Sequence, residues 1–278
     1  MRNHLIAIQG SVASFHDLAA KKYFGEDVTT LECGSFKEVC DKIAQNKVDY
    51  GIIAIENKVA GSILLNYHLI EQYDLKIIGE TFLPIELHLL GKKGSNISKI
   101  EEIVSHPMAL GQSQLFLAEN ENFKVSEFKD TATCAKLVAE NPDGKLAVIA
   151  GPTITEVYDL EVLKENVSDV KNNYTRFYIL TKGEDYEENP NKASVTVQAD
   201  NTPGKLCDIL AILKKHKLNI TKVQSVPSPQ DHTIYSFHLD IEFSNKNTFE
   251  QAVKEIEQEA AYMKILGVYK GDQPPFAQ

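Results

Sequence analysis

The sequence predicts an α/β fold followed by a smaller α+β module, and three features point there. Short, near-continuous apolar runs such as LIAI (residues 5–8), YGIIAI (50–55) and KLAVIAG (145–151) alternate with amphipathic stretches such as SFHDLAAKKYF and SFKEVCDKIAQ. Strands that are apolar throughout are covered on both faces, so parallel strands separated by helices are expected. At GEDYEENPNK, residues 183–192, the periodicity stops and acidic residues and a proline take over, the composition of a linker. Beyond it the order reads βαββαβ, the ferredoxin-like arrangement.

The elements follow in order. After YGIIAI comes a long β-rich segment over residues 75–90, then the loop KKGSN, then SKIEEIVSHP, FKVSEF, TATCAKLVAE and KLAVIAG as further alternating units. Pro152 directly after Gly151 suits the first turn of a helix over about residues 152–158, where a missing N–H costs nothing. In the second module ASVTVQAD alternates like a half-buried strand. PGKLCDILAILKKH places Leu206, Ile209, Leu210 and Leu213 on one helical face. NITKVQSV, a turn with Pro227 and Pro229, TIYSFHLDIEF, TFEQAVKEIEQEA and YMKILGVY complete it. The tail DQPPFAQ, with its two prolines, is expected to be disordered.

Composition narrows the function classes. Hydrophobic residues at 43% and charged residues at 24% describe an ordinary globular protein with room for about two domains in 278 residues. A net charge of -10 disfavours nucleic acid or an anionic membrane as the main partner. Cys33, Cys40, Cys134 and Cys207 form no CxxC pair and have no histidine at metal spacing, so reduced thiols are expected, with neither a disulfide framework nor a metal site. The apolar run in MRNHLIAIQG is too short for a signal-peptide core or a membrane span, and a cytoplasmic location is expected.

Four loops gather polar groups beside apolar strands. QGSVASF carries Ser14 beside small residues that let backbone N–H groups approach a ligand, but this loop alone reads first as an ordinary helix N-cap. IENKVAGS carries Glu56 and Asn57 where a strand ends, a place that suits a ligand or a turn. SHPMALGQSQ offers Ser105 and Gln112 around a helix opened by Pro107, with His106 read as structural rather than as a proton donor. NNYTRF supplies a hydroxyl (Thr175), a carboxylate partner (Arg176) and an apolar face (Phe177), or simply starts a strand. With no P-loop, GxGxxG or paired carboxylates, the residues alone lead to a ligand-binding α/β unit and leave enzyme and receptor both open.

Ordered motifs take the reading further. IEN at residues 55–57, SHPxALxQ at 105–112, DTA at 130–132 and NxTRF at 173–177 together resemble the monofunctional prephenate dehydratases that carry a C-terminal ACT regulatory domain, over nearly the whole chain. The resemblance implies two α/β lobes of periplasmic-binding-protein type with the substrate between them, over residues 1–182. It also implies a linker at 183–192, an ACT domain at 193–271 and a tail at 272–278. The implied reaction removes water and CO2 from prephenate to give phenylpyruvate on the way to phenylalanine. Aromatisation drives it, so no cofactor or metal is expected. By motif position Thr175 is the catalytic hydroxyl, with Asn57, Ser105 and Gln112 lining the cleft and Glu56, Arg176, Phe177 and Ser14 on the substrate. Arg176 is expected to hold the carboxylate of the pyruvyl side chain or to organise the cleft.

NTPGKL and NITKVQSVP match the places where such ACT domains bind phenylalanine, implying Asn201, Pro203, Gly204, Leu206, Asn219, Gln224 and Ser225 as the effector site. The effector would lodge between subunits, hence a homodimer or homotetramer under feedback inhibition. The chain departs from the family pattern at GSVASFH (residues 10–16), at Lys58, and at the regulatory E-S-R-P, which here reads QSVP. Arogenate dehydratase and a non-catalytic amino-acid sensor are the rival readings. With the first strand starting within a few residues of Met1, no chorismate mutase segment is expected ahead of it.

Overall fold

The computed structural model describes residues 4–128, 131–183, 189–199, 202–227 and 235–275. The first lobe runs β1 (Leu5–Gln9), α1 (Phe15–Phe24), β2 (Thr29–Cys33), α2 (Phe36–Ala44), β3 (Tyr50–Asn57), β4 (Gly61–Ser62), α3 (Leu64–Gln72) and β5 (Lys76–Pro84). The serines in SFHDL and SFKEV set the helix starts: Ser14 Oγ accepts from the Asp17 N–H and Ser35 Oγ from the Glu38 N–H. Residues 85–87 cross into the second lobe, made of β6 (His88–Lys92), β7 (Glu102–Ser105), α4 (Pro107–Gly111), α5 (Gln114–Ala118), β8 (Lys124–Glu127), α6 (Thr131–Glu140), β9 (Leu146–Ala150) and β10 (Leu160–Lys164). Residues 165–173 return the chain to the first lobe as β11 (Tyr174–Thr181).

The sheets are mixed, which corrects the expectation of parallel strands. In the order β2-β1-β3-β11-β5, the β1 pairs are parallel, whereas β11 runs antiparallel to both neighbours. In the second lobe, ordered β10-β6-β9-β7-β8, β7 is parallel to β8 and β9, and β6 is antiparallel to β9 and β10. A strand returning from the other lobe enters the sheet from the opposite end, a long-range event that an apolar run does not encode. The segment opened by Pro152 is one 3₁₀ turn, Pro152–Glu156, rather than a longer helix.

The third unit is β12 (Lys192–Ala199), α7 (Lys205–Lys215), β13 (Asn219–Pro227), β14 (Tyr235–Glu242), α8 (Lys246–Glu259) and β15 (Tyr262–Tyr269). Its sheet is antiparallel throughout, in the order β13-β14-β12-β15, which is the βαββαβ arrangement expected. Lys192, assigned to the linker by composition, is a buried residue of β12. Ala193, Val195 and Val197 pack with Ile209, Leu213, Phe249 and Ile256 of the two helices.

The alternate residues Ser194 and Thr196, with His238 and Asp240 of β14, are also buried, because this polar face lies against the first lobe. The half-buried strand read from ASVTVQAD is therefore buried on both faces. The His238 ring stacks on Tyr67 of α3 at 4.5 Å between centroids, and β15 packs on β5. At Gly267 the contact is so close that an added Cβ would overlap the backbone carbonyl of Ile77. Gly267→Ala is expected to cost about 1–3 kcal/mol or more, because backbone cannot move aside as a side-chain end can; thermal unfolding of the pair of proteins measures it.

The tail is ordered where it begins. The Asp272 carboxylate accepts from Lys22 Nζ (3.1 Å) and the Phe82 N–H (3.2 Å), strapping the end of the third unit to the first lobe. Residues 276–278 lie outside the described residues. Among the described residues no helix is long and apolar enough to cross a membrane.

Candidate active site

Between the lobes lies a cavity of about 770 Å3. It sits at the carboxyl ends of the parallel strands, where open α/β sheets leave their crevice. Gln9, Ser35 and Asn57 follow or end β1, β2 and β3 on one side, and His106, Thr131 and Gly151 follow β7, β8 and β9 on the other. Helices α1 and α2 therefore aim their N-termini at it, and N-terminal peptide dipoles favour anions.

Thr175 and Phe177 face the cavity from β11. Thr175 is paired in register with Asn57 of β3. Asn57 Nδ2 donates to Thr175 Oγ1 at 2.9 Å and to the Tyr174 carbonyl at 3.1 Å, while its Oδ1 accepts from the Val59 and Ala60 N–H groups at 3.0 and 2.9 Å. The two backbone donors fix which end of the amide is oxygen. Every hydrogen-bonding position of Asn57 is occupied, so its task is to hold the threonine. A hydroxyl has one hydrogen and two lone pairs; with Asn57 donating to the oxygen, the Thr175 hydrogen is left to point at a ligand.

Asn57 reaches this place through a bulge. The register shifts between Arg176 and Phe177, so that Ile55 is the extra residue on β3. Bulges re-aim side chains beside active sites. Strict alternation from Ala54, which packs on the cavity side with Ile52 and Phe177, would send Asn57 to the opposite face. The extra residue returns it to Thr175.

Of the other expected site residues, Gln112 lines the cavity from the end of α4, its Oε1 accepting from Asn173 Nδ2 at 3.1 Å, which leaves Nε2 as its donor. Ser14 lines it from the cap of α1, and Phe177 forms an apolar wall. Ser105 is not in the lining: it is fully buried and its hydroxyl donates to the Ile149 carbonyl, tying β7 to β9. His106 Nδ1 accepts from the Met108 N–H at 3.1 Å, a helix cap.

Arg176 and Glu56 correct the expectation that they meet the substrate. Successive residues of a strand point to opposite faces, so when Thr175 faces the cavity Arg176 faces away. Its guanidinium is 4% exposed, with Nε on Glu80 Oε2 at 2.6 Å and Nη1 on Asp240 of the third unit. Glu56 is paired with Lys222 of β13. Glu80 also accepts from Lys192 Nζ at 2.8 Å.

His16, Ser35 and Thr131 also line the cavity; Thr131 belongs to the DTA motif, but none of the three was named as a site residue from the sequence. The position of Ser35, after Gly34 and three residues before Glu38, was a usable signal for a helix start. His16 sits edge-on to Phe177 at 5.1 Å, its Nε2 shielded and without a partner among the described residues. Burial pushes its imidazole down to about 4, so it is neutral at physiological pH.

The sequence profile of prephenate dehydratase matches residues 6–185. The chain belongs to the prephenate dehydratase family. A prephenate dehydratase of Methanocaldococcus jannaschii is 32% identical over 92% of this chain and 94% of its own. Among solved structures, one described as GqqA, a novel type of quorum quenching acylase, superposes with a TM-score of 0.86 at 28% identity, covering 99% of this chain and all of the other. The prephenate dehydratase of Arthrobacter aurescens, solved in complex with L-Phe, superposes with a TM-score of 0.86 at 23% identity, over 99% of this chain and 93% of its own.

For a family member, the placement of the expected effector residues matters too. Pro203, Gly204 and Leu206 open α7, and Gln224 and Ser225 lie toward the end of β13 that meets the start of β14, the same end of the sheet. Asn219 begins β13 at the opposite end and donates to Glu242 at 3.0 Å. Asn201, and Asp130 of the DTA motif, lie outside the described residues.

Proposed function

We propose that the Thr175–Asn57 pair carries out the family's reaction, conversion of prephenate to phenylpyruvate, water and CO2, with Thr175 as hydrogen-bond donor and proton relay to the departing ring hydroxyl. The observation that supports this most is the hydrogen bond from Asn57 to Thr175 inside the interlobe cavity. As the ring carboxylate leaves as CO2, the electron pair of its bond enters the ring, the ring becomes aromatic, and the hydroxyl departs as water by taking the Thr175 hydroxyl proton, which solvent entering the cavity restores to Oγ1. The N-terminal ends of α1 and α2, with Lys37 in the lining, suit the two carboxylates of the substrate. Among the described residues Arg176 is turned away from the cavity, so its guanidinium does not hold the ring carboxylate against loss of CO2.

Phenylalanine is proposed as the effector of the third unit, read as an ACT domain, in a cytoplasmic homodimer or homotetramer. Support comes from the shared position of Pro203, Gly204, Gln224 and Ser225 and from β13 being an edge strand open to a second copy. Feedback requires tighter binding of phenylalanine to the less active arrangement. The test follows phenylpyruvate formation from prephenate, and phenylalanine formation from arogenate, each with and without added phenylalanine. Faster turnover of prephenate and its inhibition by phenylalanine are expected. Preference for arogenate would overturn the substrate, and absence of turnover on both would favour the sensor reading.

A further inference from the structure

We propose that the third unit is a working part of the catalytic centre: Lys222 and Asp240 position the Asn57–Thr175 pair by holding its register neighbours from the far face of the sheet. The inference rests on Thr175 as the catalytic hydroxyl and adds residues that touch neither the cavity nor the substrate.

The geometry is a clamp with two grips. The β3–β11 ladder pairs Asn57 with Thr175 and, next to it, Glu56 with Arg176. The first pair faces the cavity and the second faces the third unit. Lys222 Nζ binds the Glu56 carboxylate and also donates to Ser62 Oγ at 2.9 Å. Glu56 and Ser62 are opposite each other in the β3–β4 hairpin, and the turn between them supplies the Val59 and Ala60 N–H groups that fix Asn57. One ammonium therefore ties both strands of the hairpin that aims Asn57.

Asp240 makes the second grip. It accepts from Arg176 Nη1 and is itself set by Ser194 Oγ at 2.6 Å and Tyr178 OH at 3.1 Å. Arg176 is the residue after Thr175, so this grip fixes β11 as the first fixes β3. An external hold is needed at this point because the bulge at Ile55 interrupts the ladder beside the pair, and bulges leave a residue unpaired and the strand free to bend. The grips come from adjacent strands, since Lys222 and Asp240 are themselves register partners in the β13–β14 ladder.

The test compares the full chain with Lys222→Met and Lys222→Arg, alone and combined with Thr175→Val. Lys222 is the preferred site because Asp240 is wholly enclosed and its replacement can unfold the interface. Lys222→Met is expected to lower kcat on prephenate about tenfold with KM within about twofold, Lys222→Arg to recover most of the loss, and the penalty to shrink in the Thr175→Val background, where no hydroxyl is left to position, since residues acting through one another are not additive. Amide exchange at Val59 and Ala60 is expected to quicken in Lys222→Met while that at Val148 in β9 is unchanged. Wild-type kcat in Lys222→Met, or undisturbed exchange at Val59 and Ala60, overturns the proposal. A wild-type protein that never turns over prephenate overturns the proposed function instead, and the exchange measurement then still decides whether the clamp exists.

Discussion

Thr175→Ala is expected to lower kcat on prephenate by about 10²–10⁴-fold, the range for loss of a positioned proton donor, with the fold retained. The hydroxyl is the end point of a chain of bonds that runs from the Val59 and Ala60 N–H groups through Asn57, and removing it leaves only shape and electrostatics in the cavity. Thr175→Ser keeps the oxygen and is expected to keep most of the activity, whereas Thr175→Val keeps the volume and is expected to behave as alanine does. Steady-state rates on the three proteins, with circular dichroism as the check on folding, measure this. Equal activity in the valine and wild-type proteins would remove Thr175 from the chemistry.

Arg176→Leu is the largest expected stability loss, about 3–5 kcal/mol, the cost of leaving buried charges without a partner. Arg176, Glu80 and Asp240 are all nearly inaccessible, and the arginine bridges a carboxylate of the first lobe to one of the third unit. Deleting it leaves the Asp240 carboxylate without its paired cation and Glu80 with Lys192 alone. Urea unfolding is the measurement, and a loss below about 1 kcal/mol would show the network to be dispensable.

The same network predicts an acid transition. Burial works to raise the Asp240 carboxyl, but the Arg176 charge and the Ser194 hydroxyl outweigh it and hold the group below the usual carboxylate range. A group lowered on folding stabilises the protein above its unfolded value, about 3.9, and that contribution disappears as pH falls through the folded value. Stability is therefore expected to fall below about pH 4. Asp240→Asn, if it folds, should lack that part of the pH dependence in urea titrations at successive pH values.

Parts of the site were legible because the motifs are local. IEN and NxTRF lie at strand ends, and alternation along TRF alone states that Thr175 and Phe177 share a face that Arg176 does not. Grouping all three on the substrate ignored that period of two. Ser105 misled for a different reason: a serine before a helix suits a ligand, and only the neighbouring β9 carbonyl shows that its hydroxyl is already engaged. Lys222 and Asp240 carried no signal at all, being a lysine and an aspartate in two separate strands, each more than forty residues from Arg176.

By itself, the sequence determined the alternating α/β units, the βαββαβ module and the helix caps and strand ends that carry Ser14, Asn57, Gln112 and Thr175, because periodicity and capping act over a few residues. Tertiary structure decided the direction of β11, the bulge that turns Asn57 back toward Thr175, and the burial of the polar face of β12 and β14 against the first lobe. Those depend on which strand lies beside which, and hydrogen-bond register and charge pairing across a sheet are satisfied only between segments distant in sequence.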